Sequence, residues 1–300
     1  MLIFSDRGQS PPRQPYKLAR GPSPPRQPYK LGQDIFYHQF DVELPHSNCV
    51  TCVVMMDDGR IVFSIFYFNR LYTSTDPMLL IYNIDGSHED SIPLQCISHG
   101  ITAIDNSTVA VTSYATIDMY DINNKVKLKS IVLHVPGIYF HLRLSRMINI
   151  TTINNNIVVG IHNSIVIIDH QTDEVIKTID TDDISTWCLH GTSDKIFYCN
   201  YLLYNNNKNI YCYNYCDDQV DIQTLPSPPH SITSLQDGSV YATCENGSVQ
   251  HVSSDGKSYK TVTTEGLLSM EKLSVISYNP KQRKLVTCNN DEIFKVFDEV

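Results

Sequence analysis

Hydroxyls recur at matched places in this chain, each inside a short apolar stretch: Thr51, Thr102, Thr151, Ser185, Thr233 and Ser277. As a set they are poor ligands for a hard cation, which prefers carboxylates and carbonyls, and they suit a role in capping neighbouring strands or lining a channel. The adjacent acids Asp57-Asp58 and Asp182-Asp183 could supply carboxylates, but paired acids in turns read as solvated faces. Cys49-Val50-Thr51-Cys52 has the spacing of a zinc knuckle. No second Cys/His pair follows at finger spacing, and strand alternation aims the two thiols at opposite faces. Cys212 and Cys216 fail on the same grounds. The nine cysteines read as free, small buried hydrophobes of a reducing compartment. The 11 histidines are scattered, and no Ser, His and acid form a nucleophile elbow. The expectation is therefore no catalytic residue, no metal and no cofactor.

The elements that carry the hydroxyls form a repeat. Six times a Thr/Ser-containing apolar strand is followed by a polar turn and a second apolar strand, starting at Val50, Ile101, Ile150, Ile184, Ile232 and Val275. The mean step is about 45 residues, the period of four-stranded propeller blades. The last unit runs out of chain after Ile293–Phe297, so its outer strand must come from elsewhere. The apolar stretch Ile35–Leu44 is unassigned and can supply it, leaving no open seam. Asp58-Gly59, Asp85-Gly86, Asp237-Gly238 and Asp255-Gly256 stand between strand candidates, where positive φ is needed. No stretch has a helical period. The expected fold is an all-β, six-bladed β-propeller over 34–300, its last blade closed by the strand around 35–44.

The first 33 residues read as a separate, disordered tail. Ser10-Pro11-Pro12-Arg13-Gln14-Pro15-Tyr16-Lys17-Leu18 returns letter for letter as Ser23–Leu31. Its prolines favour an extended, solvated polyproline conformation. Pro12, Pro15 and Lys17, with Pro25, Pro28 and Lys30, match a proline-groove ligand with a basic anchor, in two copies that could act bivalently. Formal charge is −9, but residues 1–31 carry six cations against Asp6, which leaves the body near −14. An acidic body disfavours nucleic acid. Apolar runs are too short for a membrane span or a signal peptide, so no membrane partner and a cytoplasmic location are expected.

The stretch Leu235-Gln236-Asp237-Gly238-Ser239-Val240-Tyr241-Ala242-Thr243, with Asp255-Gly256 after it, resembles an NHL repeat. The closing Ile276–Asn290 is similar to the terminal blade of tripartite-motif (B-box) proteins of bivalve molluscs. The resemblance covers about 35–300 and implies the target-recognition end of a ubiquitin-ligase system, with ubiquitination machinery among its partners. No paired Cys/His cluster or heptad run precedes Ile35, so no ligase activity is expected of this chain by itself.

Propellers bind through the loops joining second to third strands and blade to blade. Two such segments, 65–72 and 201–208, are long and carry aromatics with a nearby cation. The expected protein-binding face comprises Phe66, Tyr67, Phe68, Arg70, Tyr72, Tyr201 and Tyr204, completed by Tyr114, His162, Glu245 and Asn290. Trp187 is expected to pack between blades. A non-catalytic module that binds a protein target is the leading reading. RNA binding of the NHL type and a metal-dependent lactonase are the alternatives.

Overall fold

The computed structural model describes residues 28–31, 34–44, 48–68, 74–113, 116–133, 149–161, 163–181, 185–201, 207–262, 264–265, 273–289 and 293–299. Two strands open the chain, β1 (Pro28–Leu31) and β2 (Asp34–Glu43). Blade 1 follows as β3 (Asn48–Met55), β4 (Ile61–Phe68), β5 (Ser74–Tyr82) and β6 (His88–Pro93). Blade 2 is β7 (Gly100–Ala103), β8 (Thr108–Ser113), β9 (Thr116–Asp121) and β10 (Val126–Val132). Blade 3 is β11 (Ile150–Ile153), β12 (Asn156–Ile161), β13 (Ser164–Asp169) and β14 (Val175–Asp180). Blade 4 is β15 (Ser185–Gly191), β16 (Lys195–Tyr201), β17 (Asn209–Asn214) and β18 (Val220–Thr224). Blade 5 is β19 (Pro229–Ser234), β20 (Val240–Cys244), β21 (Val249–Val252) and β22 (Tyr259–Val262), with a two-residue strand β23 (Thr264–Glu265) after it. Blade 6 is β24 (Leu273–Asn279), β25 (Lys284–Asn289) and β26 (Ile293–Glu299). No helix occurs among the described residues.

Every sheet is antiparallel, and the innermost strands β3, β7, β11, β15, β19 and β24 contact one another in ring order, β24 returning to β3. The second strand of a blade lies between its own neighbours and two adjacent blades, so both of its faces are buried. That is why β8, β12 and β20 read as continuous apolar runs rather than alternating ones. The outer strands alternate, as in β10, because only one face meets the next blade. Six apolar clusters result, one per blade interface. At the junction of blades 6 and 1, Phe63 and Phe294 meet edge to face with ring centroids 4.4 Å apart.

The ring closes as expected. β2 pairs with β26 from Phe36↔Glu299 to Glu43↔Ile293, supplying the outer strand that the last unit lacks. The sheet extends further, because β1 pairs with β2 and β23 pairs with β1, giving the order β23-β1-β2-β26-β25-β24. Among the described residues strand structure thus begins at Pro28, inside the segment expected to be tail. Residues 1–27, on which the disorder expectation rests, lie outside the described residues.

The turns explain why the repeat carries Asp or Asn at its corners. Asp121 accepts the N–H groups of Asn123 and Asn124, Asp169 those of Gln171 and Thr172, and Asp237 that of Ser239. Each carboxylate takes over backbone donors that the ladder leaves free. The Asn124 amide, followed by its side chain, holds the Asp121 carboxyl below its ordinary pKa, and the Gln171 and Thr172 amides do the same for Asp169. At Gly86, φ is +79°, and an added Cβ would stand 2.5 Å from the Phe40 ring of β2, so both conformation and space require glycine.

Two expectations are corrected. Cys188 and Cys199 are not free: they stand opposite each other in the β15–β16 register, Cα atoms 5.3 Å apart, and are joined as a disulfide. Alternation put both on one side of the sheet, a pairing that spacing along the chain does not reveal. Residues 69–72 lie outside the described residues; the first half of the aromatic stretch expected as a loop, Ile65–Phe68, is strand, the end of β4. Its β-branched and aromatic residues favour the pleated ladder.

Candidate functional site

The two ends of the ring are built differently. One end holds the turns between first and second and between third and fourth strands of each blade; among the described residues these are short, from 154–155 to 253–258. The other end holds second-to-third and blade-to-blade connections, which range from 114–115 and 162–163 up to 133–149.

The short-turn end is tied together at every blade interface. Arg60 donates to its own Asp58 (2.8 Å) and reaches blade 2 at Asn123 Oδ1 (2.7 Å) and the Asn106 carbonyl (2.8 Å). Lys129 reaches the His170 carbonyl and Asp173 in blade 3. Lys177 pairs with Asp218 in blade 4, and Lys195 donates to the Ser254 carbonyl in blade 5 at 2.7 Å. Gln236 reaches the Pro280 carbonyl in blade 6 at 3.2 Å, and Lys281 pairs with Asp57 in blade 1. Asp57 and Asp58, the acids weighed above as possible ligands, are thus both engaged by cations. Asp182 and Asp183 lie outside the described residues.

A ladder of ion pairs that the sequence reading missed runs around the rim. An outer-strand residue of one blade meets the last turn of the next: Asp90 with Lys125, Lys129 with Asp173, Lys177 with Asp218, and Asp221 with Lys257 at 3.8 Å. The signs reverse together, so the pairing is kept while its polarity is not. Lys125, Asp173 and Asp218 also hold equivalent positive-φ positions of their turns, with φ of 59°, 62° and 58°. Asp218, then the Tyr213 hydroxyl, raises the Lys177 pKa, and Lys177 lowers that of Asp218. The signal available in the sequence was this covariation of sign from blade to blade.

The inner-strand hydroxyls act as fasteners between blades. Thr151 Oγ1 accepts the Gly191 N–H (3.1 Å) and Thr233 Oγ1 the Tyr278 N–H (2.8 Å). Thr51 bonds Ser64 and Ser98, and Ser231 exchanges bonds with the backbone of Ile276. His190 Nε2 lies 2.9 Å from Ser234 Oγ, and burial pushes its pKa down to about 4, so the imidazole is neutral. The Cys52 thiol is turned to the Ile101 carbonyl of blade 2, and burial raises its pKa.

The residues expected to bind a partner belong to the long-loop end. Phe66, Tyr67 and Phe68 close β4, and Tyr201 closes β16; both are second strands ending on this face. Glu245 is exposed in the turn between β20 and β21, its N–H bonded to the Pro228 carbonyl of the adjoining connection at 2.9 Å. Arg70, Tyr72, Tyr114, His162, Tyr204 and Asn290 lie outside the described residues, in connections whose flanking strand ends share this face. Of the proline motif, Pro12, Pro15, Lys17 and Pro25 lie outside the described residues, while Pro28 and Lys30 belong to β1.

One signal on this face was not read from the sequence. Near their starts, four inner strands slip by one residue against their partners, at Thr51, Trp187, His230 and Ser274. Such bulges re-aim side chains at the rim of a fold. They place Trp187 at a bulge of β15, while the packing expected of its indole concerns a side chain outside the described residues.

No protein-family model matches the chain, and no curated protein matches it in sequence. Among solved structures, the WD40 domain of Pan2 from Neurospora crassa is similar, with a TM-score of 0.59 at 9% identity, covering 89% of this chain and 95% of that one. At that identity the likeness is one of fold, and with the sheet order it establishes the chain as a six-bladed β-propeller.

Proposed function

We propose that this propeller is a non-catalytic module that binds a protein target through its long-loop face. The carrying observation is the asymmetry of the ring. One end is fastened blade to blade by ion pairs and side-chain bonds. The other end carries the longer and more variable connections, with aromatic residues at the strand ends that feed them. Aromatic and Arg anchors dominate interface energetics, a few of them at about 2 kcal/mol or more each. The NHL-like residues of blade 5 support the narrower reading: the target-recognition end of a tripartite-motif ubiquitin-ligase system, or an adaptor derived from one.

The test is affinity capture with the full chain, with and without nuclease, beside two variants. In the first, Phe66, Tyr67, Arg70, Tyr201 and Tyr204 become alanine; in the second, Asp194 and Lys257 on the opposite end do. A protein retained after nuclease, lost at least tenfold in the first variant and kept in the second, supports this reading. Capture abolished by nuclease assigns RNA binding instead, and capture lost only in the second variant moves the site to the other face.

A further inference from the structure

β1 is the end of a duplicated sequence. Pro28-Tyr29-Lys30-Leu31 closes the second copy of a nine-residue unit whose first copy ends Pro15-Tyr16-Lys17-Leu18. In the structure this tetrapeptide fills a slot between two strands. Along one side it pairs with β2, from Pro28↔Tyr37 to Leu31↔Asp34. Along the other it pairs with β23, Lys30↔Glu265 and Leu31↔Thr264.

The β2 wall of the slot does not depend on its occupant, whereas β23 pairs with the occupant alone. β2 is held from its far side by β26 over Phe36–Glu43, and Phe36 is 1% exposed and packs edge to face on Tyr278. What the slot offers is main-chain hydrogen bonding plus a register that sets a lysine opposite Glu265. Strand addition of this kind draws affinity from the backbone and selectivity from alternate side chains. Residues 15–18 repeat the same four residues, lysine included, with the same preceding residues back to Ser10. The copies differ only in tether: two residues, Gly32-Gln33, join the second copy to β2, whereas 15 residues, 19–33, would join the first. Closure probability falling as the three-halves power of loop length makes the longer tether about 20-fold less favourable.

We propose that the slot between β2 and β23 is a strand-docking site for which Pro15–Leu18 of the same chain exchanges with Pro28–Leu31. One copy of the proline unit is held in the sheet while the other is released, so the chain presents a single free Pro-x-x-Pro-x-Lys ligand rather than a bivalent pair. Exchange changes which copy is free and how far it stands from the propeller.

Hydrogen exchange on the full-length protein tests this, read at the outward amides of Asp34–Tyr37 and at Thr264–Glu265. Amides of β12, in blade 3, serve as the reference for global folding. In Tyr29→Pro/Lys30→Pro the second copy cannot form a strand between two others, since proline donates no ladder bond. The expected result is protection that persists but weakens about 20-fold, and that disappears only when Tyr16→Pro/Lys17→Pro is added. Protection lost completely in the first variant, with β12 still protected, would overturn the proposal. Protection in that variant that rises with protein concentration would overturn it too, by showing insertion from a second molecule. Should the first variant unfold, the nonapeptide of residues 10–18 added to the four-proline variant replaces it: restored protection at the slot supports docking, and none refutes it.

Discussion

The closure between blades 6 and 1 rests on one side chain more than on any other polar group described there, and Asn279→Ala is the perturbation that isolates it. Asn279, at the end of β24, is 6% exposed. Its Nδ2 donates to the carbonyls of Met56 (3.1 Å) and Met55 (3.3 Å) in blade 1, while its Oδ1 accepts the N–H groups of Lys281 (2.9 Å) and Gln282 (3.0 Å). The four partners fix the orientation of the amide, since a flip would set oxygen against carbonyls and NH₂ against N–H groups. Truncation removes two buried bonds at about 1 kcal/mol each, for a total of about 2 kcal/mol, since the Met56 carbonyl keeps the Gly59 N–H at 3.0 Å. The turn amides cost less, because Lys281 is exposed and water can reach them. For a domain of this size that corresponds to a fall in Tm of about 4–8 °C. Asn279→Asp is the discriminating companion. It keeps the turn acceptor but faces a carboxylate with two carbonyl oxygens, so its folded-state pKa must rise above the unfolded value of about 3.9. A raised carboxyl pKa places its relative stability below that value and removes it as pH climbs through the folded pKa. The Asp variant should therefore be at least as damaged as the Ala variant at pH 7 and recover toward the wild type near pH 4, measured by thermal melts in circular dichroism. If Asn279→Ala melts within 1 °C of the wild type, or Asn279→Asp is indifferent to pH, the reasoning fails.

Three further outcomes follow from the same structure. His190 titrates near 4 in the fold against about 6.5 unfolded, so the unfolded chain binds more protons between these values; stability should climb with pH from 4 to 6.5, and urea titrations of His190→Gln should lack that share of the slope. The Cys188–Cys199 bridge closes a loop of sequence separation 11, so Cys188→Ala/Cys199→Ala should cost about 2–3 kcal/mol, and mass spectrometry of unreduced, alkylated peptides should find the two joined. Exchanging the Lys177–Asp218 pair to Lys177→Asp/Asp218→Lys should restore part of what either single change loses, a double-mutant cycle showing coupling that is small and falls with added salt, as suits an exposed pair.

The sequence made the ring legible because the repeat is written in the parts a blade cannot vary. Inner strands beginning at Val50, Ile101, Ile150, Ile184, Ile232 and Val275 all fall within or one residue from β3, β7, β11, β15, β19 and β24, since the second strand after each, buried on both faces, must be apolar and the turn between them favours Asp, Asn or Gly. The closing strand was legible for the same reason: Ile35–Leu44 was apolar and had no other partner. What was not legible depends on pairs distant along the chain. Lys129 with Asp173 and Asp90 with Lys125 become neighbours only when blades are set side by side, and Cys188 meets Cys199 only through the β15–β16 register. The strand at Pro28–Leu31 was hidden differently, because proline-rich composition argues for polyproline structure until a pairing edge is at hand.

Regularity and variation separate along the axis of the ring. On the short-turn end most described corners share one local chemistry, a side-chain acceptor taking backbone N–H groups or a positive-φ residue closing the turn, and at each blade interface a cation or amide reaches into the next blade. Departures there break bonds on two blades at once, so the turns of that end stay within a few residues of one another in length. The connections of the opposite end carry almost all of the variation in step length, from 114–115 to 133–149, without disturbing a ladder or an interface cluster. An insertion costs little there, since loop closure grows only with the logarithm of length. A surface free to vary on a frame that is not is where recognition of a partner can be built, and it makes the long-loop face, with Phe66, Tyr67 and Tyr201 at its strand ends, the place to look first.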